Sequence, residues 1–424
     1  MNGISILLIQ ITVVIAAVRL FGWMFRRLGQ PPVVGEMVAG LALGPSLLGL
    51  VAPSVSAWLF PAESLKVLDG LSQIGLVLFM FVIGSHVNAY EVRRSGRAAI
   101  LISSASISIP FGMGFGLAWF LNGRVPGNPN VPPLAFALFV GAAMSITALL
   151  VLARILADRG MTATRVGTLA IVCAAINDVA GWAILAVVVG FVQASQEAVS
   201  LRMLVGAAVY AVFMIFGLRP LVRRFATRGG FAQGGVLSED GFVLFLLLAF
   251  GSALVTHAIG IHSLFGAFLA GTIIPKRPGL IGPLTERLQP LTTTILLPFF
   301  FALTGLRTSL RLIDSTESWL LALLVLVVAV AGKLGGTYLA ARLADLSRLD
   351  AFTLGVLMNT RGLMELVILN IGIEIGVISP AVFAMLVVMA VVTTLMPSPI
   401  LDWIRARQTP AGTAIPAQVE FDGK

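Results

Sequence analysis

Apolar residues fill the chain in long runs, and arginine, glycine and proline collect in the short stretches between them. A helix needs about 20 apolar residues to cross the hydrocarbon core of a bilayer. Thirteen segments approach that length, roughly 4–25, 33–50, 68–85, 98–121, 132–153, 164–191, 202–222, 241–257, 260–275, 288–305, 317–341, 351–373 and 379–400. The pattern predicts an all-α polytopic membrane protein with about 13 transmembrane helices, a membrane domain over 1–400 and a short tail over 401–424. The first run lacks a charged n-region followed by a small-residue cleavage site, so it reads as a retained span.

Two runs are interrupted near their middle. The fifth reads Gly141-Ala142-Ala143-Met144-Ser145-Ile146-Thr147-Ala148, and the twelfth Met358-Asn359-Thr360-Arg361-Gly362-Leu363-Met364-Glu365. Asn359, Thr360 and Gly362 are poor helix residues, and Gly362 eases unwinding. Broken helices whose freed backbone groups line a cavity are tolerated at membrane depth, and they recur at matching places in transporters built of inverted-topology repeats. Pairing a first repeat (about 4–191) with a second (about 241–400), with 202–222 as linker helix, puts the two breaks at corresponding positions. The fourth span, which carries Pro110, then has the eleventh, which carries Lys333, as its counterpart.

Composition agrees. The chain is 58% hydrophobic and 11% charged, with a mean hydropathy of +1.01, whereas soluble domains run at roughly 45–50% apolar and about 25% charged. A soluble enzyme and a disordered tail are excluded, and the single cysteine, Cys173, excludes a disulfide scaffold. No enzyme activity and no cofactor are expected. The net charge of +9 does not mark a nucleic-acid binder, because the basic residues sit between apolar runs. With the N-terminus outside, the cytoplasmic connections hold Arg26, Arg27, Arg93, Arg94, Arg97, Arg154, Arg159, Arg165, Arg219, Arg223, Arg224, Arg228, Lys276, Arg277, Arg287, Arg342 and Arg348, and the tail adds Arg405, Arg407 and Lys424. The outer loops hold only Lys66, Arg124, Arg202, Arg307 and Arg311. This asymmetry sets the orientation, with the C-terminus cytoplasmic and the plasma (inner) membrane as the expected location. Arg19 lies near a span end and can snorkel.

An ionisable residue deep in a span costs at least ~2.5 kcal/mol on insertion scales, so it is paired, faces water or works. Asp178, Lys333, Arg361 and Glu365 lie near mid-span. Asp178 follows Asn177, and a midplane carboxylate beside an amide suits a hard monovalent cation. The alternative is a buried ion pair with Lys333. Arg361 and Glu365, four apart, can pair on one helix face and hold the geometry without carrying the ion. Ser145 and Thr147 offer hydroxyl oxygens to the same region. One carboxylate takes one proton or one monovalent cation with equal effect on site charge. A second exchanged proton would have to come from Lys333, which otherwise serves as a counter-ion.

The expected function is secondary antiport of Na+ or K+ against H+. A cation channel would favour a ring of like charges, and a non-transporting membrane sensor needs an output domain. His86, His257 and His262 lie near span ends and read as interfacial or pH-responsive groups. Trp23, Trp58, Trp319 and Trp403 suit the aromatic belt, and Trp182 the core.

Several fragments resemble one family. They are Gly29-Gln30-Pro31-Pro32-Val33-Val34-Gly35-Glu36 with Gly40 and Leu43-Gly44-Pro45-Ser46; Asn177-Asp178; Phe301-Ala302-Leu303-Thr304-Gly305-Leu306-Arg307-Thr308; Lys333 in Ala331-Gly332-Lys333-Leu334-Gly335-Gly336; and Asn359 through Gly372. In this order and spacing they resemble the monovalent cation/proton antiporters, in the branch with Kef-type bacterial proteins and plant cation/proton exchangers. The resemblance implies a sodium/proton antiporter-like fold with crossed helices, a homodimer, an elevator-like cycle, and Asp178 binding cation and proton alternately near Thr147. Asn177, where some relatives carry an aspartate, implies electroneutral exchange. The Kef-type cytosolic nucleotide-binding domain is not expected.

Overall fold

The computed structural model describes residues 3–86, 96–162, 164–196, 200–227, 232–233, 236–260 and 262–408. Arg93, Arg94, Arg228 and Lys424, used above for orientation, lie outside these residues, as does the tail from 409 on.

The longer helices are α1 (Gly3–Arg27), α2 (Pro32–Leu43), α3 (Ala62–His86), α4 (Arg97–Leu121), α5 (Pro133–Ser145), α6 (Leu149–Asp158), α7 (Arg165–Gln196), α8 (Ser200–Val212), α9 (Glu239–Ile259), α10 (Ser263–Thr272), α11 (Pro278–Leu291), α12 (Leu297–Arg307), α13 (Thr316–Val330), α14 (Gly336–Leu343), α15 (Arg348–Met358), α16 (Leu363–Glu374), α17 (Pro380–Leu395) and α18 (Pro397–Gln408). π-Turns join α11 to α12 over Thr292–Leu296 and α13 to α14 over Ala331–Gly335. The strands among the described residues form one short antiparallel pair, Ala232–Gln233 with Val236–Leu237. Many starts are set locally. Prolines open α2, α5, α11 and α17, where the missing N–H is no loss. Ser238, Ser315, Ser347 and Ser379 cap α9, α13, α15 and α17.

Among the described residues, ten helical stretches are long and apolar enough to cross a membrane, or eleven if the pair α15–α16, bent by 44°, counts as one span. The chain is an integral membrane protein. Two of the thirteen expected segments fall outside that count: 260–275 holds α10, only 10 residues long, and 202–222 holds α8 and a π-turn over Phe213–Leu218.

The helices pack as two groups. One gathers α1, α2, α3, α9, α10, α11 and α12; the other gathers α4, α5, α6, α7, α13, α14, α15, α16 and α17. α8 touches α7 in one group and α9 in the other. Where α2 crosses α12, the backbones touch at Gly40 and Gly305, and a Cβ on Gly305 would overlap the Gly40 carbonyl. Trp182 of α7 packs its edge on Phe265 (5.7 Å between ring centroids) and stacks on Phe268 (6.0 Å), tying α7 to α10 of the other group. Trp23, Trp58, Trp319 and Trp403 are all about half exposed, as a lipid-facing belt requires.

Candidate functional site

The expected interruptions are real breaks. α5 ends at Ser145, Ile146 and Ala148 are extended, and α6 starts at Leu149. α15 ends at Met358 and α16 starts at Leu363. The two unwound segments touch, with the Ala148 N–H donating to the Thr360 carbonyl at 3.0 Å and the Thr147 hydroxyl to the Met358 carbonyl at 3.1 Å. The Thr360 hydroxyl closes its own turn on the Leu357 carbonyl. Gly362 makes the approach possible, because a Cβ there would lie 2.7 Å from Cγ2 of Val151.

A helix that stops inside a membrane leaves its last four carbonyls without partners. In α5 all four are taken by side chains. The Ser145 hydroxyl donates to Ala142 at 2.7 Å. Arg361 Nη1 donates to Ala143 at 2.9 Å, and Nη2 donates to Met144. The Lys333 ammonium donates to Ser145. Arg361, inside the break, also pairs with Glu365 of α16 at 2.6 Å, both side chains fully buried. The pair forms although Arg361 and Gly362 lie outside the helix.

Lys333 makes its second contact on the Ser106 carbonyl of α4, at 2.8 Å. That carbonyl is free because Pro110, four residues on, has no N–H to give it. Asp178 is 3% exposed and lies beyond ion-pair distance of Lys333 among the described residues, so the expected alternative of a locked Asp178–Lys333 pair is not formed; Lys333 is committed to two carbonyls instead. The hydroxyls of Ser145 and Thr147 are likewise spent on backbone carbonyls.

The Asp178 carboxylate faces the backbone N–H of Leu149, at the start of α6. A cavity of about 20 Å³ adjoins it, lined by Phe79, Ile83, Ala148, Leu149, Leu363 and Met364 among others, which is room for about one water-sized occupant. The N-termini of α6 and α16 therefore meet beside Asp178, where their dipoles favour negative charge, while α5 ends on the cations of Lys333 and Arg361. Oδ1 of Asp178 and Oδ1 of Asn177 are buried without a hydrogen-bond partner, as are Oδ1 of Asn359 and Oε1 of Glu365. The Asn177 amide is held in place by donating to the hydroxyls of Ser106 at 2.7 Å and Thr147 at 3.3 Å.

Residues 13–404 match the family described as sodium/hydrogen exchanger, transmembrane. The chain belongs to the sodium/hydrogen exchanger family. It is 40% identical over 400 residues to the Na(+)/H(+) antiporter NhaS4 of Synechocystis sp., covering 94% of this chain and 97% of that one. It is 36% identical over 401 residues to Cation/H(+) antiporter 17 of Arabidopsis thaliana (94% and 48% covered). It is 29% identical over 409 residues to K(+)/H(+) antiporter 1 of Saccharomyces cerevisiae (95% and 47%). The chain thus spans about half the length of the plant and yeast relatives. Among solved structures, the sodium proton antiporter MjNhaP1 from Methanocaldococcus jannaschii shares the fold, with a TM-score of 0.61 over 96% of this chain and 98% of that one at 17% identity.

In this member of the exchanger family, one site residue escaped sequence reasoning. Ser106 joins Asn177 to Lys333; Asn359, read from the sequence as part of the second break, also presents a buried free oxygen there. Ser106 had a legible signal: a proline four positions later in the same span frees its carbonyl.

Proposed function

We propose that the chain is a secondary antiporter that exchanges a monovalent cation, Na+ or K+, for H+ by alternating access, with Asp178 carrying the cation or the proton in turn. The carrying observation is the buried Asp178 carboxylate, which keeps an oxygen without a partner while the nearby cations Lys333 and Arg361 are engaged on backbone carbonyls. A buried carboxylate must be neutralised. With no protein cation spent on it, the neutralising charge is a proton or a metal cation. One replaces the other at equal site charge, so exchange is electroneutral. Asn177 completes the oxygen set and adds no charge.

The names of the relatives in Synechocystis, Arabidopsis and yeast agree in pairing a cation with H+. A cavity of about 20 Å³ beside the carboxylate suits a carrier better than an open pore. The rest of the reading follows. Two inverted repeats, about 4–191 and 241–400, are joined by a linker helix near 202–222. The helix group holding Asp178 moves against the other in a homodimer. The N-terminus lies outside and the C-terminus in the cytoplasm of a plasma (inner) membrane, where the exchanger serves pH homeostasis.

The test uses purified protein in liposomes loaded with a pH dye, with voltage clamped and an outward proton gradient imposed. Sodium, potassium, lithium or choline is added outside, with Asp178→Asn in parallel. Cation-specific dissipation lost in the variant supports the reading. Folded, inserted protein with no cation-coupled proton flux would refute it and favour a channel or sensor.

A further inference from the structure

A second polar cluster lies away from Asp178, at the other end of α16. Arg307, the last residue of α12, sits at its centre. Its Nη2 donates to Oδ1 of Asp69 on α3 at 3.1 Å. Its Nη1 donates to Oδ1 of Asn370 at 3.0 Å and to Oε1 of Glu374 at 3.1 Å, both on α16. Glu374 Oε2 pairs with Nε2 of His262, which caps α10, at 3.2 Å, and Gln73 of α3 reaches Glu374 Oε1 at 3.5 Å. His262 is therefore more than an interfacial histidine.

Every one of these ties to α16 crosses between the two helix groups. Arg307, Asp69, Gln73 and His262 belong to one group, while Asn370 and Glu374 belong to the group that holds Asp178. The cluster is also reachable by water, since the side chains of Arg307, Asp69 and Glu374 are 31%, 40% and 29% exposed.

Beneath it the seam between α3 and α16 is dry. Leu76, Phe79, Met364 and Val367 are each at most 4% exposed. A cavity of about 10 Å³ under the cluster is lined by Leu76, Phe300, Val367 and Ile371 among others. One turn deeper, Phe79, Leu363 and Met364 line the cavity at Asp178. Both cavities follow the same two helices in a row, separated by an apolar plug.

We propose that Arg307 is the clamp of a gate on the ion path: by bridging Asp69 to Asn370 and Glu374 it holds α16 against α3 and seals the seam between Asp178 and the side on which this cluster lies. That side is the outer one in the orientation proposed above. The gate takes its purpose from the reading of Asp178 as the carrying site, but its test needs no transport. Arg307 is a positioning residue. It fixes which side of the site is closed and touches no ion.

The test is thiol accessibility in the full chain carrying Cys173→Ser. Val367→Cys reports on the seam, and Leu156→Cys, buried near the far end of α6, serves as control. A membrane-impermeant thiosulfonate is added from either side of the vesicle in separate runs. Arg307→Ala is expected to raise labelling of Val367→Cys about tenfold from the cluster side alone, the change that about 1.4 kcal/mol of lost closure gives. Labelling of Leu156→Cys stays unchanged. Glu374→Gln, which leaves the Arg307–Asp69 pair intact, raises it by less and keeps the question open to decision if Arg307→Ala fails to fold. Equal labelling rates in parent and variants overturn the gate, and so does a rise at both reporters, which marks general loosening. A gate without cation-coupled flux would leave this inference standing and remove the antiport reading; flux without a gate would do the reverse.

Discussion

The Ala148 N–H and the Thr360 carbonyl meet at 3.0 Å, a backbone hydrogen bond joining two helices exactly where both are unwound. The first break supplies donors and the second supplies acceptors. The contact depends on the bare Cα of Gly362. Gly362→Ala drives a methyl to 2.7 Å from Val151 Cγ2 and 3.3 Å from Ala148 Cβ, and overpacking of this kind costs typically about 1–3 kcal/mol. The variant should lower the thermal midpoint in detergent, and adding Val151→Ala should recover part of the loss. A variant as stable as the parent would show that the segments do not pack this tightly.

Arg361 satisfies two carbonyls of α5 and the charge of Glu365 together. Removing one partner of a buried pair is worse than removing both, costing about 3–5 kcal/mol. Arg361→Met should therefore lower thermal stability more than Arg361→Met with Glu365→Met. If the double variant is the less stable of the two, the pair is not the reason Arg361 is held.

Lys333 and Pro110 form a double-mutant cycle. Lys333→Met strips a donor from the carbonyls of Ser106 and Ser145, and a buried unmade hydrogen bond costs roughly 1–3 kcal/mol. In a Pro110→Ala background the restored N–H serves Ser106 from within α4. Lys333→Met should then cost less, a coupling visible in thermal unfolding. Additive effects would count against the proline as the reason that carbonyl is available.

Lys276 lies beyond the end of α10 and donates to the carbonyls of Gly84 and Ser85 at the end of α3. Burial, then the nearby charge of Arg219, lowers its pKa to about 8 from the ordinary lysine value. Below pH 8 the group is charged in folded and unfolded chain alike. As pH rises from 8 towards 10.5 the unfolded chain holds a proton that the folded chain has released, so this residue's contribution to stability rises with pH. Competitive amine labelling read by mass spectrometry should place its midpoint near 8, and Arg219→Gln should raise it. No change in the midpoint would remove Arg219 as a cause.

Much of this was legible in the sequence because the bilayer punishes exceptions. Long apolar runs gave the spans, the poor helix formers Asn359, Thr360 and Gly362 located a break, and Asp178, Lys333, Arg361 and Glu365 stood out as mid-span charges. Partners were harder to read. Spacing says that Lys333 needs an acceptor, but whether the Asp178 carboxylate or two backbone carbonyls lie nearest depends on how α4, α5 and α13 cross. α10 is short because it is buried against α3 and α9, and a length rule for lipid-crossing helices does not describe it. The Arg307 cluster was not legible because its members are separated by as many as 305 positions, from Asp69 to Glu374, and only the packing of four helices brings them together.

The central claim is that Asp178 holds one proton or one cation. The direct measurement is proton release from purified protein in weakly buffered detergent solution when Na+ or K+ is added, alongside calorimetric counting of bound cation. The account predicts one proton released per cation bound, and none in Asp178→Asn. Cation binding without proton release, or release that survives Asp178→Asn, would contradict it.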